Sequence, residues 1–332
     1  MATSDGFPTA VIVSFVCFYV VVFVLSAIGN VVVIYTCYGT IKRTQRSIHW
    51  FIANLALADF TFTVLSILDF VVFLWTWLGG RISCKLQSFL IEACYTSSII
   101  TLVILSFERR KAVITPLRAR ISSNKEYIKI VAIWMSSLSI GSPLLYAYEV
   151  KQDASGSLIC NNASFGDLGK QVYYSIHAIC TFIVPLTYMI YAQSIIFLRL
   201  RSRVFPTQDD FTTVSSNRHR KVAKTLAALT VAFTVCWAPF MIIRTLMYFH
   251  LTDGGYYWRA SQLLIFLNTA LDPILYGIYG ESIGRFLERF NCGHFRKATL
   301  TTSNKNSTLN KRSPPNTSHL INVKEGRRSG LC

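Results

Sequence analysis

The chain has 332 residues, of which 52% are hydrophobic and 15% are charged, and its formal net charge is +17. Soluble domains carry about 25% charged residues, and the mean hydropathy here is +0.42, so the composition excludes an ordinary soluble protein. Basic residues gathered beside apolar segments favour an anionic membrane surface as the partner, and they give no reason to expect a nucleic-acid partner.

Seven long apolar segments follow one another along the chain. An apolar, nearly uncharged run of about 18 residues or more predicts a transmembrane helix, and the first segment has no charge between Phe7 and Ile41. In chain order, the predicted spans are 11–38, 49–75, 84–113, 125–147, 172–201, 221–249 and 258–280. The predicted fold class is therefore an all-α membrane protein, a seven-transmembrane helix bundle with a short amphipathic eighth helix after the last span.

The basic residues are distributed unequally between the two sides of this bundle. We count 27 of the 33 Lys and Arg residues on one side, and the basic side of a multi-pass protein faces the cytoplasm. This predicts an extracellular N-terminus at 1–10, a transmembrane domain at 11–280, an amphipathic helix at 281–291 and a disordered cytoplasmic tail at 292–332. The expected location is the plasma membrane.

Two of the nine cysteines lie at the predicted outer side, away from the spans. They are Cys84, before the third span, and Cys160, between the fourth and fifth. An extracellular face is oxidising, so a disulfide between them is expected. The alternative is two free thiols.

Polar residues also occur inside the predicted spans. Asp59 lies in an otherwise apolar segment, and an intramembrane Asp indicates a functional site, although a structural, hydrogen-bonded Asp is the alternative. In the third span, Cys84, Ile91, Ser98 and Arg109 fall on one stripe of the helix. We expect that stripe to face the interior of the bundle.

The order of the motifs resembles that of the rhodopsin-like (class A) G-protein-coupled receptors over about residues 10–292. The motifs are Asn30, NLALADF (54–60), Cys84, Glu108-Arg109, Trp134, Pro185, CWAP (236–239) and DPILY (272–276). In character the chain is most similar to the peptide receptors, including neuropeptide receptors. The resemblance implies a receptor that binds an extracellular ligand and activates a heterotrimeric G protein by opening its cytoplasmic face, without catalysing a covalent reaction.

The resemblance also assigns residues to coupling and activation. They are Glu108, Arg109, Leu117, Trp237, Pro239, Asp272, Pro273 and Tyr276. Glu108 is expected to be the resting partner of Arg109. The segment 202–218 is expected to be a short polar loop, and no acid near the start of the sixth span supplies a second restraint, so signalling without ligand is expected.

A central polar site is implied by the same resemblance. Its members are Asp59, Ser98, Asn268 and Asp272. Oxygen ligands and two carboxylates suit a sodium ion, with Asp59 as its main ligand; a water-filled hydrogen-bond network is the alternative. No other cofactor is expected, and the absence of Lys from 260–280 excludes retinal bound as a Schiff base in the last span.

Polar residues of the outer half are candidates for ligand binding. They are Asp69, Gln87, Ile91, Glu92, His177, Arg244 and Gln262. Ile91 stands where amine receptors have an Asp, which disfavours an amine as the ligand. The mixed charges and aromatic residues of this region favour a short peptide with a charged or amidated end. The alternatives are that Glu92 or Asp69 pairs with Arg244 or His177 for packing alone, that the ligand is an amine or a lipid, or that the protein is a transporter or channel.

Three features concern modification and regulation. The sequon at Asn162 is a candidate for glycosylation, and Cys292 is a candidate for palmitoylation. Ser and Thr residues of the tail are candidate kinase sites that recruit arrestin.

Overall fold

The computed structural model of the protein describes residues 8–44, 47–114, 126–152, 156–202 and 210–279. All of them belong to one compact unit, Met1–Gly280, and the second unit, Glu281–Cys332, lies outside the described residues. The predicted amphipathic helix, the predicted tail with Cys292, and Leu117 are therefore also outside the described residues.

The described part of the chain is almost entirely helical. In chain order, its α-helices are α1 (Thr9–Thr44), α2 (Ser47–Leu74), α3 (Arg81–Ile114), α4 (Glu126–Gly141), α5 (Leu144–Ala147), α6 (Gly166–Ala178), α7 (Val184–Ser202), α8 (Asp210–Tyr248) and α9 (Gly255–Tyr279). Helices α4 and α5 form one rod, and α6 and α7 form another, so seven rods correspond to the seven predicted spans. Among the described residues, all rods except α9 are long and apolar enough to cross a membrane.

The prediction of a loop at 202–218 is wrong for the second half of that segment. Helix α8 already begins at Asp210. No Gly or Pro follows Pro206 until Pro239, so nothing in the sequence interrupts a helix there. Polarity distinguishes a membrane span from a water-exposed segment, and it does not distinguish a helix from a loop.

Pro185 shapes the rod that contains α6 and α7. It is the second residue of α7, and it has no N–H to donate to the preceding turn. The backbone widens into a π-helical turn at Ile179–Ile183, an irregularity that is common at functional sites. His177 lies two residues before the start of this turn.

A polar network joins α1, α2 and α9 inside the bundle. Ser26 Oγ lies 2.7 Å from Thr63 Oγ1 and donates to Thr269 Oγ1 at 2.9 Å. Asn30 Nδ2 donates to the carbonyl of Thr269 at 3.0 Å. Polar groups away from water need such partners, so these bonds fix how the first and last rods pack.

A second network joins α2, α3 and α4. Asn54 Nδ2 donates to Thr101 Oγ1 at 2.9 Å, and Trp134 Nε1 donates to Asn54 Oδ1 at 2.8 Å. The amide of Asn54 thus uses its donor toward one neighbouring helix and its acceptor toward another. This explains why an Asn is suitable at that position in an apolar segment.

The connection between α5 and α6 forms a β-hairpin. Its strands are β1 (Glu149–Gln152) and β2 (Leu158–Asn161), which pair antiparallel. Cys160 forms the predicted disulfide with Cys84 at the start of α3, with a Cα–Cα distance of 5.7 Å. Trp77 N donates to the carbonyl of Leu158 at 2.9 Å, so the hairpin is attached to the bundle by a covalent bond and a hydrogen bond.

The outer surface of the rods is apolar. Val21 and Ile28 on α1, Met135 on α4, and Val231 and Val235 on α8 are each more than half exposed. Exposed apolar side chains on one rod after another are costly in water and favourable in lipid. This surface supports the membrane-protein prediction.

Candidate functional site

The bundle has two chemically different ends. The disulfide end carries the bond between Cys84 and Cys160, and the arginine end carries Arg109, near the other end of α3. The candidate ligand residues lie toward the disulfide end, and the residues assigned to coupling continue toward the arginine end.

Three of the candidate ligand residues form one buried cluster, here called the Glu92 cluster: Glu92 on α3, His177 on α6 and Arg244 on α8. Each of the three is no more than 5% exposed. His177 Nε2 is in direct contact with Glu92 Oε1, and Arg244 Nη2 is 2.9 Å from His177 Nδ1. The structure thus brings together an acid, an imidazole and a cation that are distant in sequence.

The protonation of His177 follows from its partners. A guanidinium can only donate hydrogen bonds, so Nδ1 of His177 accepts from Arg244 and the ring proton is on Nε2. That nitrogen faces Glu92 and lies 2.9 Å from Tyr95 Oη. With a neutral imidazole, the charges of Glu92 and Arg244 balance.

Aromatic rings surround Arg244. Its guanidinium lies 4.7 Å from the ring centroid of Tyr174 and 4.8 Å from that of Phe240. Such cation–π contacts are stronger when the cation is desolvated. They hold Arg244 in the cluster on two sides.

The side-chain amide of Asn162, the predicted glycosylation site, makes two hydrogen bonds. Its Nδ2 donates to Tyr174 Oη at 3.0 Å and to Tyr248 Oη at 2.8 Å. A glycan would replace one of the two hydrogens on this nitrogen, so only one of the two bonds could then be donated. Burial raises the pKa of nearby Tyr148, so this phenol stays protonated.

A second polar group lies at the disulfide end, between α2, α3 and α9. Gln87 Nε2 donates to Asp69 Oδ1 at 2.9 Å, and Arg259 Nη1 donates to Gln262 Oε1 at 3.2 Å. Arg259 also interacts electrostatically with Asp69. Asp69 is exposed and Gln87 is buried, so this second acid is accessible in a way that Glu92 is not.

Ile91 lies outside both polar groups. It is half-buried on α3. It precedes Glu92 by one residue, which places the two side chains about 100° apart around the helix.

An aromatic path connects the Glu92 cluster to Trp237. The ring centroid of Tyr95 lies 5.0 Å from that of Trp237, and Phe233 and Phe240 lie 5.9 Å and 6.3 Å from it. Pro239 is inside α8, between these aromatic residues. Side-chain contacts therefore connect His177 through Tyr95 to Trp237, which is two residues before Pro239 on α8.

The four residues of the predicted central site come together in the core. Ser98 Oγ donates to Asp59 Oδ1 at 2.8 Å, and Asn268 Nδ2 donates to Asp272 Oδ2 at 3.4 Å. Asp59 Oδ2, Asn268 Oδ1 and Asp272 Oδ1 are buried without a hydrogen-bond partner among the described residues. Asp59, Ser98 and Asn268 line a cavity of about 10 Å³. A cavity of this size has room for about one water-sized molecule.

At the arginine end, Glu108 does not have the expected partner. Lys129 of α4 donates to Glu108 Oε1 at 2.8 Å. Arg109 makes no hydrogen bond or ion pair with the described residues, and it interacts electrostatically with Glu108 and Tyr276. The phenol of Tyr276 and both polar atoms of the Gln193 amide are buried without a hydrogen-bond partner in the part of the chain that the structure describes.

Tyr95 and Lys129 also belong to these sites, although no sequence motif marks either residue. Tyr95 is three residues after Glu92, so helical spacing could have placed it beside the cluster. Lys129 is one of many basic residues in or near the ends of the spans, and no local pattern distinguishes it.

This arrangement of seven rods, with polar residues meeting inside and an apolar exterior, defines a class of membrane protein. The family described as "7 transmembrane receptor (rhodopsin family)" matches residues 29–276. The chain belongs to this family, whose members are G-protein-coupled receptors.

Sequence identity to individual relatives in this family is low. The chain is 26% identical to a QRFP-like peptide receptor of Branchiostoma floridae, with 87% of this chain and 79% of that receptor covered. It is 28% identical to galanin receptor 2a of Danio rerio, with 85% and 79% covered. It is 27% identical to the substance-P receptor of Mus musculus, with 88% and 74% covered.

Proposed function

We propose that this receptor binds a short peptide at the disulfide end and activates a heterotrimeric G protein at the arginine end. The observation that carries the proposal is the Glu92 cluster, which three different rods assemble and which contacts Trp237 through Tyr95. Three of the relatives are named as receptors for peptides, which supports a peptide rather than an amine or a lipid as the ligand.

The orientation follows from charge. Basic residues of the described part gather at the arginine end, at Lys42 and Arg43 in the last turn of α1 and at Arg199 and Arg201 in that of α7. Because basic ends face the cytoplasm, the disulfide end and the N-terminus are extracellular and the C-terminus is cytoplasmic. The location is the plasma membrane.

The two acids at the disulfide end have different roles. Glu92 is buried and balanced by Arg244, whereas Asp69 is exposed. The accessible Asp69 suits a basic group or N-terminus of a peptide. Arg244 and the phenols around it suit a carboxylate or an amide at the other end of the ligand, because both present acceptors to a guanidinium.

Activation is a shift between two states. A ligand that rearranges His177 and Arg244 moves Tyr95 and Trp237, and α8 can pivot at Pro239 because a proline weakens the helix there. Opening of the arginine end exposes Arg109 to the G protein. Ligand and G protein favour the same state, so each raises the affinity of the other.

The central residues suit a sodium ion in the resting state. Asp59, Ser98, Asn268 and Asp272 would hold it, and the three unpartnered oxygens fit a hard cation that prefers oxygen ligands. Its single positive charge would balance the negative charge of one of the two neighbouring carboxylates. Asp59 lies on α2 and Asp272 on α9, so a bound cation would reduce the repulsion between carboxylates of two different helices.

The predicted cytoplasmic tail contains candidate sites for modification and regulation. Its Ser and Thr residues are sites for a receptor kinase and then arrestin, and Cys292 is a palmitoylation site. No step in this scheme requires the protein to catalyse a covalent reaction.

A peptide screen tests the proposal. Cells that express the receptor and a promiscuous G protein are exposed to a peptide library, and any active peptide is tested on Glu92→Gln and Arg244→Gln. Both variants should lower its potency at least about tenfold, which corresponds to about 1.4 kcal/mol. Arg81→Gln is the matched control, because Arg81 is an exposed arginine at the same end that pairs with Glu149 at 3.0 Å.

Arg109→Ala tests the opposite end. It should abolish signalling while surface expression and peptide binding persist, and Arg43→Ala, at an exposed arginine of the same end, should leave signalling intact. Ion flux in voltage clamp without any G-protein response would refute the receptor proposal in favour of a channel.

A further inference from the structure

Lys129 is held at the arginine end by three separate contacts. Its Nζ lies 2.8 Å from Glu108 Oε1, 3.2 Å from Glu126 Oε2 and 5.7 Å from the ring centroid of Phe51. The Glu126 side chain is only 7% exposed, and a buried carboxylate needs a counter-charge. Lys129 therefore stays beside Glu126 whether or not Glu108 is present.

Glu108 has two cations within reach but pairs with one. Arg109 is the next residue of the same helix, and neighbouring residues of a helix point about 100° apart. The carboxylate of Glu108 is directed across to α4, where Lys129 is already fixed by Glu126 and Phe51. Arg109 is left with no hydrogen bond or ion pair to any described side chain.

We propose that Lys129 is a positioning residue that holds Glu108 away from Arg109, so that Arg109 is available to the G protein without first breaking an ion pair. The signalling half of this inference rests on the proposed function. It gives Glu108 a different role from the one that the sequence suggested: its carboxylate belongs to a pair between α3 and α4, and it does not restrain Arg109. The expected consequence is measurable nucleotide exchange in the absence of ligand.

The geometry can be tested without a G protein or a peptide. Double-mutant cycles on the purified receptor in lipid nanodiscs compare the melting temperatures of Glu108→Gln, Lys129→Gln and Arg109→Gln, alone and in pairs. We expect Glu108 to be coupled to Lys129 by about 2–4 °C, the shift that about 1 kcal/mol produces in domains of about 150–250 residues. Glu108 and Arg109 should show no coupling.

A third cycle separates positioning from a merely structural role. In the Lys129→Gln background, coupling between Glu108 and Arg109 should appear, because the carboxylate is released to its other neighbour. If Lys129 only stabilised the fold, this new coupling would be absent, and the proposal would be overturned. It would also be overturned by coupling of Glu108 to Arg109 in the otherwise unmodified receptor.

Glu126 provides a second background in case Lys129→Gln does not fold. Glu126→Gln removes the buried carboxylate that would otherwise lose its counter-charge, so the pair Lys129→Gln/Glu126→Gln is better tolerated. The same three cycles in the Glu126→Gln background should show the same pattern.

Basal nucleotide exchange gives the functional measurement. In receptor reconstituted with a heterotrimeric G protein and no ligand, Lys129→Gln should lower the exchange rate about fivefold, the factor that corresponds to about 1 kcal/mol. Adding Glu108→Gln should restore it, because the neutral amide no longer holds Arg109. Lys42→Gln is the control, since Lys42 is an exposed lysine of the same end that lies over the Tyr38 ring at 4.3 Å.

The outcomes distinguish this proposal from the proposed function. Exchange that requires a peptide in the unmodified receptor, or that rises in Glu108→Gln alone, overturns the proposal and leaves the receptor function intact. Failure of every peptide and every G protein refutes the proposed function, while the melting cycles still decide which cation holds Glu108.

Discussion

Arg244 donates a hydrogen bond to the imidazole of His177 at 2.9 Å, and it thereby connects α8 to α6. Because the acceptor must be Nδ1, the bond also determines which nitrogen faces Glu92. The negative charge of Glu92 and the positive charge of Arg244 are both buried, with a neutral ring between them. Neither charge can be removed alone without leaving the other uncompensated.

The first prediction concerns this balance. Arg244→Met should lower the free energy of unfolding by about 3–5 kcal/mol, because it leaves the Glu92 carboxylate buried without a counter-charge. Adding Glu92→Gln should recover much of the loss. Thermal unfolding in nanodiscs measures both effects.

Arg81→Met is the control for that experiment. In the pair between Arg81 and Glu149, the side chain of Arg81 is exposed. Such pairs contribute about 0–1 kcal/mol. Equal losses for Arg244→Met and Arg81→Met would mean that the Glu92 cluster is not a balanced pair.

The second prediction concerns the bond between Cys84 and Cys160. These residues are 76 positions apart, and loss of a native disulfide costs about 2–5 kcal/mol in small secreted domains. Cys84→Ser, Cys160→Ser and the double variant should lower the melting temperature by the same amount, because each removes one and the same bond. Cys17→Ser, at an exposed free cysteine, should have no effect, and additive losses in the double variant would contradict the prediction.

The sequence was sufficient to predict the rods and the disulfide. A bilayer requires spans of a nearly fixed length, so seven apolar runs predict the number of the helices, and the charges between them predict their direction. With that predicted direction, Cys84 and Cys160 are the two cysteines at the oxidising side outside the spans. The outer polar residues could be proposed for a similar reason, because polar groups in a bundle face inward.

The sequence was not sufficient to predict which polar residues pair. Glu108 can reach Arg109 or Lys129, and the choice depends on Glu126 and Phe51, which fix Lys129 through contacts between three helices. The environment of Asn162 depends in the same way on two tyrosines from other parts of the chain. Motifs identify residues by local order, whereas these contacts arise only when the helices pack.

The third prediction follows from the environment of Asn162. Because its Nδ2 is occupied by two phenols, we expect no glycan at this sequon. Peptide-N-glycosidase should leave the electrophoretic mobility of the receptor unchanged, and Ser164→Ala, which destroys the sequon but leaves Asn162 in place, should migrate like the unmodified chain. A mobility shift on digestion that Ser164→Ala abolishes would show that a glycan is attached at Asn162.

The fourth prediction concerns the contact between α1 and α9. A Cβ atom added at Gly29 would lie 2.8 Å from Cγ of Pro273, whereas one added at Gly39 would meet nothing within 4 Å. Gly29→Ala should therefore destabilise the bundle by about 1–3 kcal/mol through overpacking. Gly39→Ala, on the same helix, should be neutral or stabilising by up to about 1 kcal/mol, and similar melting temperatures for the two variants would argue against close approach at Gly29.

The fifth prediction tests sodium at the central site. Asp59 Oδ2 and Asp272 Oδ1 are buried without a hydrogen-bond partner among the described residues, so an ion that binds them stabilises the folded state by mass action. At a concentration 100 times its dissociation constant the gain is about 2.7 kcal/mol. Replacing potassium chloride with sodium chloride at constant ionic strength should raise the melting temperature of the receptor.

Asp59→Asn should abolish this rise and Ser98→Ala should reduce it, whereas Asp69→Asn, at an acid outside the central site, should retain it. The same response to both salts, or a full response in Asp59→Asn, would favour the alternative of a water-filled network, because water bridges carboxylates without distinguishing between the two cations.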